Sequence, residues 1–184
     1  MPEPTVYLNG HYVNIADAKV SILDRGLLFG EAIYEVVRVH KGRLFRLDEH
    51  YRRMCCGLKA IRIRPPFTPR GYARIFEELT ARNGVRCGYI YMQVTRGAAP
   101  ERDHRLPQTP SPTVFAWARQ TPMPGWVRFP NGVATVSVPD PRWQRCDIKT
   151  TMLLANTLAK QHAADAGAFE AIFVAEDGTV REGS

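Results

Sequence analysis

The sequence predicts a mixed α+β / α/β chain in two parts, and three observations predict it. Short runs rich in β-branched residues, joined by tight-turn signals, fill much of the opening half. Two stretches with helical spacing of apolar residues interrupt them. A Pro/Gly-bearing stretch at residues 121–125 then separates this part from further strands and one more helix. The expected division is residues 1–120 as an N-terminal α/β domain, 121–125 as a linker and 126–184 as the start of a β-rich C-terminal domain.

In chain order, residues 5–8 and 12–15 flank Asn9-Gly10, a strong signal for a two-residue hairpin turn. Asp24-Arg25-Gly26 opens a loop that also contains Gly30. Residues 33–39 read as a strand, and Lys41-Gly42 turns it back into Arg43-Leu44-Phe45. A helix follows, with Asp48 as its expected cap and Leu47, Tyr51, Met54, Cys55, Leu58 and Ile61 at helical spacing. Pro65-Pro66 closes it. Thr68-Pro69 opens the next helix, Tyr72, Ile75, Phe76 and Leu79 form its apolar face, and Asn83-Gly84 ends it. Residues 87–96 are strand-like. Residues 97–112 hold four prolines and form a long loop, of the kind that is functional or disordered. Residues 113–118 return to a strand.

Beyond the linker, residues 127–129 and 133–138 are strand-like, and Pro139-Asp140-Pro141 breaks the pattern. A helix is expected from about Thr151 to Asp165, burying Leu154, Leu158 and His162 and stopped by Gly167. Residues 171–175 and 180–182 are strands about the turn at 176–179. Because Ser184 directly follows a hairpin that only begins a second domain, a fragment of a longer chain is expected.

Composition narrows the function classes. The formal charge of +7 raises the question of nucleic acid, yet the arginines are scattered and no aromatic-basic stacking motif is present. No nucleic-acid partner is expected, and with no run of about 18 apolar residues, no membrane association either. Cys55, Cys56, Cys87 and Cys146 form no C-x-x-C pair, so no metal is expected, and reduced thiols fit a cytoplasmic protein without a signal peptide.

The stretch with the sharpest chemistry is residues 145–154, in which Lys149 stands at an element boundary just before a helix. A lysine fixed there can be desolvated enough to act as a neutral amine, as Schiff-base chemistry requires. A solvated surface lysine is the alternative for the residue taken alone. Arg52-Arg53 reads equally as a solvated helix face, and Glu182 as a strand-edge charge.

The ordered series Tyr34-Glu35, Arg53 on a helix, Cys-Asp-Ile-Lys ending at Lys149, and Glu182-Gly183-Ser184 after a strand resembles the class IV (fold-type IV) pyridoxal-phosphate enzymes. That family includes D-amino-acid aminotransferases, branched-chain aminotransferases and aminodeoxychorismate lyases. The resemblance implies a two-domain architecture whose C-terminal pseudo-barrel is truncated here, with pyridoxal 5'-phosphate bound in the interdomain cleft. It implies that Lys149 carries the cofactor as a Schiff base and moves the substrate proton, since one amine must do both. Glu182 would pair with the pyridine nitrogen, and Arg53, favoured over Arg52 by family spacing, would grip the phosphate.

Within the family, Arg102-x-His104 in the long loop resembles the pattern with which D-amino-acid aminotransferases hold the substrate α-carboxylate, together with Tyr34. Tyr91 matches a substrate-pocket position there, with core packing as its alternative. The helix after Lys149 lacks the glycine-and-tyrosine-rich run of branched-chain enzymes. The resemblance therefore implies ping-pong transamination between a D-amino acid and a 2-oxo acid, in a homodimer whose carboxylate-binding loop reaches the neighbouring subunit's site. Alternatives are an (R)-amine transaminase, which would lack a committed carboxylate trap, a branched-chain transaminase, an aminodeoxychorismate lyase, or a non-catalytic module.

Overall fold

A computed structural model describes residues 3–121 and 129–184. The chain divides into two compact units, the first comprising Met1–Pro122 and Asp147–Thr151, the second Met123–Cys146 and Met152–Ser184. Linker residues 122–125 and residues 127–128 of the strand expected there lie outside the described residues, and Phe129 is not in a strand.

The first unit is a six-stranded antiparallel sheet backed by two helices. Its strands are β1 (Thr5–Leu8), β2 (His11–Asn14), β3 (Ala32–His40), β4 (Arg43–Leu44), β5 (Cys87–Thr95) and β6 (Val114–Gln120), in the spatial order β2-β1-β6-β5-β3-β4. The β1–β2 turn is built as expected, with positive φ at Asn9 (47°) and Gly10 (96°). Between β2 and β3 lies the five-residue helix α1 (Arg25–Phe29), where the sequence suggests a loop. Asp24 accounts for the difference: its carboxylate accepts from Gly26 N and caps the turn, while Gly30 ends it in the left-handed conformation.

Helices α2 (Leu47–Ala60) and α3 (Pro69–Arg82) cover one face of this sheet. Met54, Leu58, Phe76 and Leu79 meet Val37, Ile90 and Met92 of the strands, all fully buried. At about 1.5–3 kcal/mol per large apolar side chain buried, this cluster is the unit's principal stabilising term. Thr68 caps α3 through Gly71 N, with proline in the first turn, as the sequence predicts. Asp48 does not cap α2. Arg46 occupies that position in a left-handed conformation, because Phe45 N still bonds Arg38 O and the helix must start at once. Asp48 and Glu49 sit in the first turn, where carboxylates favour the helix dipole.

In the second unit, β7 (Thr135–Pro139) and β8 (Glu170–Val174) are parallel, and β9 (Val180–Gly183) returns antiparallel to β8. Helix α4 (Leu154–Asp165) connects β7 to β8. It starts three residues later than expected, because Thr150 is held in extended pairing with Ile33 and its hydroxyl bonds Gly30 O. The expected burial is also corrected. Leu154 and Leu158 are largely exposed, as is His162, whereas Ala159 and Ala163 pack against Ala171 and Phe173. Apolar residues lie on more than one side of α4, and the alanine side is the one that approaches the sheet. Gly167 terminates the helix region at φ +71°.

Candidate active site

Lys149 lies in a short segment running beside the first half of β3. Strand β4 pairs only with Val39 and His40, so that half of β3 has an edge free for another partner. Tyr34 N donates to the Lys149 carbonyl at 3.1 Å, and Ile33 and Thr150 form an isolated antiparallel bridge. Ile148 and Thr150 are buried on either side, and the alternation of extended backbone turns the half-buried Lys149 the other way. Its Nζ donates to Tyr34 Oη at 3.3 Å and lies 4.4 Å from the Tyr34 ring centroid.

Tyr34 is the end of an aromatic ladder. Tyr91 stacks on it at 5.4 Å and 19°, and Trp117 stacks on Tyr91 at 5.5 Å and 20°. Register produces this: Tyr91 lies opposite Val36 on one side and Trp117 on the other. Alternation puts these rings on the sheet face away from α2 and α3. Tyr91 Oη donates to Gln93 Oε1 at 2.7 Å, and burial, reinforced by Tyr34, pushes its phenol above the usual range.

The next residue, Glu35, points to the helix face and is completely buried. Arg53 forks it, Nε to Oε1 and Nη2 to Oε2 both at 2.6 Å, and His50 Nδ1 meets Oε2 at 2.7 Å. Burial pushes the Glu35 carboxyl up, but the Arg53 and His50 hydrogen bonds outweigh it and hold the carboxyl below its ordinary value. The Arg53 side chain is about half exposed, 53%, and these bonds use two of its five N–H donors. Neighbouring Arg52 is exposed.

Arg102 and His104 come together on Phe29, the last residue of α1. The Arg102 guanidinium lies 4.9 Å from that ring's centroid and the His104 ring 5.2 Å away. A cavity of about 380 Å³ is walled by Arg25, Asp103, Arg105 and neighbouring loop residues, and Lys149 is not among its lining. Glu182 belongs to the second unit, where it pairs with Arg142, which also binds Asp140 at 2.8 Å and covers the Phe173 ring at 4.4 Å.

Several of these partners escape sequence reasoning. Glu35 left a signal, since it falls among Ile33, Val37 and Val39 on the apolar side of a period-two strand. A carboxylate there needs a cation, and His50 and Arg53, three apart on α2, share one side of that helix. Arg25, Phe29 and Arg142 left no comparable local signal.

A class IV amino-transferase family model matches residues 32–184. The chain belongs to that family. Among curated relatives, a D-alanine aminotransferase of Staphylococcus aureus (strain MSSA476) is 41% identical over 181 residues, covering 97% of this chain and 63% of its own length. One from Bacillus licheniformis is 39% identical over 180 residues, with 97% and 62% covered. The chain thus spans less than two-thirds of those relatives. Among solved structures, a branched-chain amino acid aminotransferase of T.th. with pyridoxamine 5'-phosphate superposes with a TM-score of 0.85 at 27% identity, covering 100% of this chain and 63% of that one.

Proposed function

We propose that this chain is the cofactor- and carboxylate-binding part of a pyridoxal-phosphate-dependent D-amino-acid aminotransferase. The observation that carries the reading is Lys149 Nζ set against the hydroxyl and ring of Tyr34. The residues present fit the cofactor. Thr151 Oγ1, two residues from the lysine, is buried without a hydrogen-bond partner among the described residues. Arg53 retains three N–H donors beyond those that bind Glu35, a donor set suited to a phosphate. Glu182, in Arg-Glu-Gly-Ser, is the carboxylate assigned to the ring nitrogen, and Arg142 orients it.

When bound, pyridoxal phosphate supplies the electron sink that makes the substrate Cα–H acidic. The chain supplies the rest. Lys149 Nζ would hold the cofactor and, as a free amine, take the substrate's α-proton. Tyr34 Oη, in hydrogen-bond reach of that nitrogen, orients it and joins Arg102 and His104 in holding the substrate carboxylate. Tyr91 and Trp117 form the aromatic floor. Over the two halves of the ping-pong cycle, the amino group of a D-amino acid is exchanged for the oxo group of a 2-oxo acid.

A homodimer with composite sites fits the surface. Ile15, Val20, Ile22, Leu23 and Leu27 are all exposed, Ile22 at 78% and Leu27 at 71%, and such a concentration of apolar side chains suits a second copy. No helix among the described residues is long and apolar enough to cross a membrane, and a cytoplasmic location is part of this proposal.

The test is a set of half-reactions on the full-length holoenzyme with D-alanine, L-leucine and an (R)-amine in parallel, following the cofactor's absorbance. D-alanine should bleach the resting band fastest. Faster bleaching by L-leucine would favour the branched-chain activity for which the solved neighbour is named and overturn the D-amino-acid assignment.

A further inference from the structure

We infer that Arg25, clamped by Glu31 and working with Phe29, is the positioning residue that sets how Arg102 and His104 are presented. The inference rests on the reading of those two residues as the carboxylate trap. Arg25 is 2% exposed, and all three of its guanidinium nitrogens are engaged. Nε and Nη2 fork Glu31 at 3.0 and 2.7 Å, and Nη1 donates to the Asp103 carbonyl at 2.6 Å. That carbonyl lies in the backbone between Arg102 and His104. The side chains of both residues rest on Phe29, whose ring also lies 4.6 Å from the Arg25 guanidinium. Helix α1 therefore grips the loop twice, by its backbone through the first residue and by the Arg102 and His104 side chains through the last.

The clamp is itself anchored to the sheet. Glu31 also accepts from Arg96 Nε, and the other nitrogens of Arg96 donate to the carbonyls of Ile61 and Arg62 at 2.5 and 3.2 Å. Arg25 N bonds Gly97 O at 2.9 Å, at the loop's root. The hydrogen bonds from Arg25 and Arg96 hold the Glu31 carboxyl below its ordinary value against the opposing pull of burial. A charged, bidentate partner is thus available to Arg25 across the working pH range. The geometry suits positioning: a planar guanidinium can fork a carboxylate and reach a carbonyl at a fixed angle, whereas an ammonium cannot do both. An error of about 1 Å in placing a substrate-holding group can cost on the order of a hundredfold in rate.

The experiment compares Arg25→Lys, Arg25→Met and Phe29→Leu in the full-length holoenzyme with Arg102→Ala as reference. KM and kcat for D-alanine are measured, with active sites counted by cofactor content and the resting absorbance band recorded. Both Arg25 variants should raise KM for D-alanine at least tenfold, with kcat within about threefold and the resting band unchanged. Phe29→Leu, which keeps an apolar side chain and removes the ring, should raise KM about three- to fivefold, and it carries the test if the Arg25 variants do not fold. A normal KM in Arg25→Lys would show that charge alone suffices and would overturn the inference. So would a fall in kcat and loss of the resting band in step with KM, which marks a merely structural role. If Arg102→Ala leaves KM unchanged, the carboxylate-trap reading fails first. If Arg102→Ala raises KM and the Arg25 and Phe29 variants do not, the positioning inference alone fails.

Discussion

Replacing Arg53 with leucine should destabilise the protein more than replacing Glu35 with leucine, although the two residues are partners in one ion pair. The asymmetry follows from their surroundings: the Glu35 side chain is 0% exposed and that of Arg53 is 53% exposed. In Arg53→Leu, the carboxylate stays buried with only His50 beside it, and stranding a buried charge costs about 3–5 kcal/mol. In Glu35→Leu, the buried charge itself is gone and Arg53 turns out to water. What is lost is a set of partly solvated hydrogen bonds, on the order of 1–2 kcal/mol. The double variant should resemble Glu35→Leu, so the coupling energy should match the Arg53→Leu loss in size, about 3–5 kcal/mol. Urea unfolding of the cofactor-free protein, followed by tryptophan fluorescence, measures all three. The pH dependence has a definite sign. Glu35 has a lowered pKa in the folded state, so its contribution is fully present above the ordinary glutamate value of about 4.3 and is lost as pH falls through the lower folded value. The Arg53→Leu penalty should therefore be largest near neutrality and shrink in acid, as the stranded carboxyl takes up a proton. Equal losses from the two single variants, or the reverse order, would refute this reasoning.

Two further substitutions test the packing around the site. Tyr72 Oη is buried without a hydrogen-bond partner among the described residues, and burial pushes its phenol far above the usual range. Tyr72→Phe removes an unsatisfied group whose burial costs about 1–3 kcal/mol. The thermal midpoint should hold or rise, and a clear fall would mean that the hydroxyl is bonded. Gly97 opens the long loop of residues 97–112 at φ +86°, and an added Cβ would lie 1.8 Å from Ser111 O. Gly97→Ala should cost on the order of 1–3 kcal/mol or more and speed proteolysis within residues 97–112; a neutral result in both assays would contradict the crowding.

Local signals made much of the fold legible. Asn9-Gly10, Thr68-Pro69 and the alternation of residues 33–39 are decided by short-range sterics and capping, and each appears where the sequence puts it. The boundary at Leu154 was not legible, because Thr150 is kept extended by a strand 117 positions earlier, at Ile33. Helix α1 depends on a side-chain cap in a segment whose glycines suggest a loop. Among the candidate residues, motifs pointed to Lys149, Arg53 and Glu182, but not to what holds each of them. Arg25 reaches Asp103 across 78 positions, and Arg53 forks a glutamate on a different element. Such partnerships are set by register and packing, which no local pattern encodes.

The central claim is that Lys149 is the amine that carries the cofactor. Borohydride reduction of the full-length holoenzyme, followed by proteolysis and peptide mass mapping, tests it most directly. The account expects one phosphopyridoxyl adduct, on the Lys149 side chain in the Cys-Asp-Ile-Lys peptide, and none in Lys149→Ala. An adduct on another lysine, or covalent capture persisting in Lys149→Ala, would contradict it.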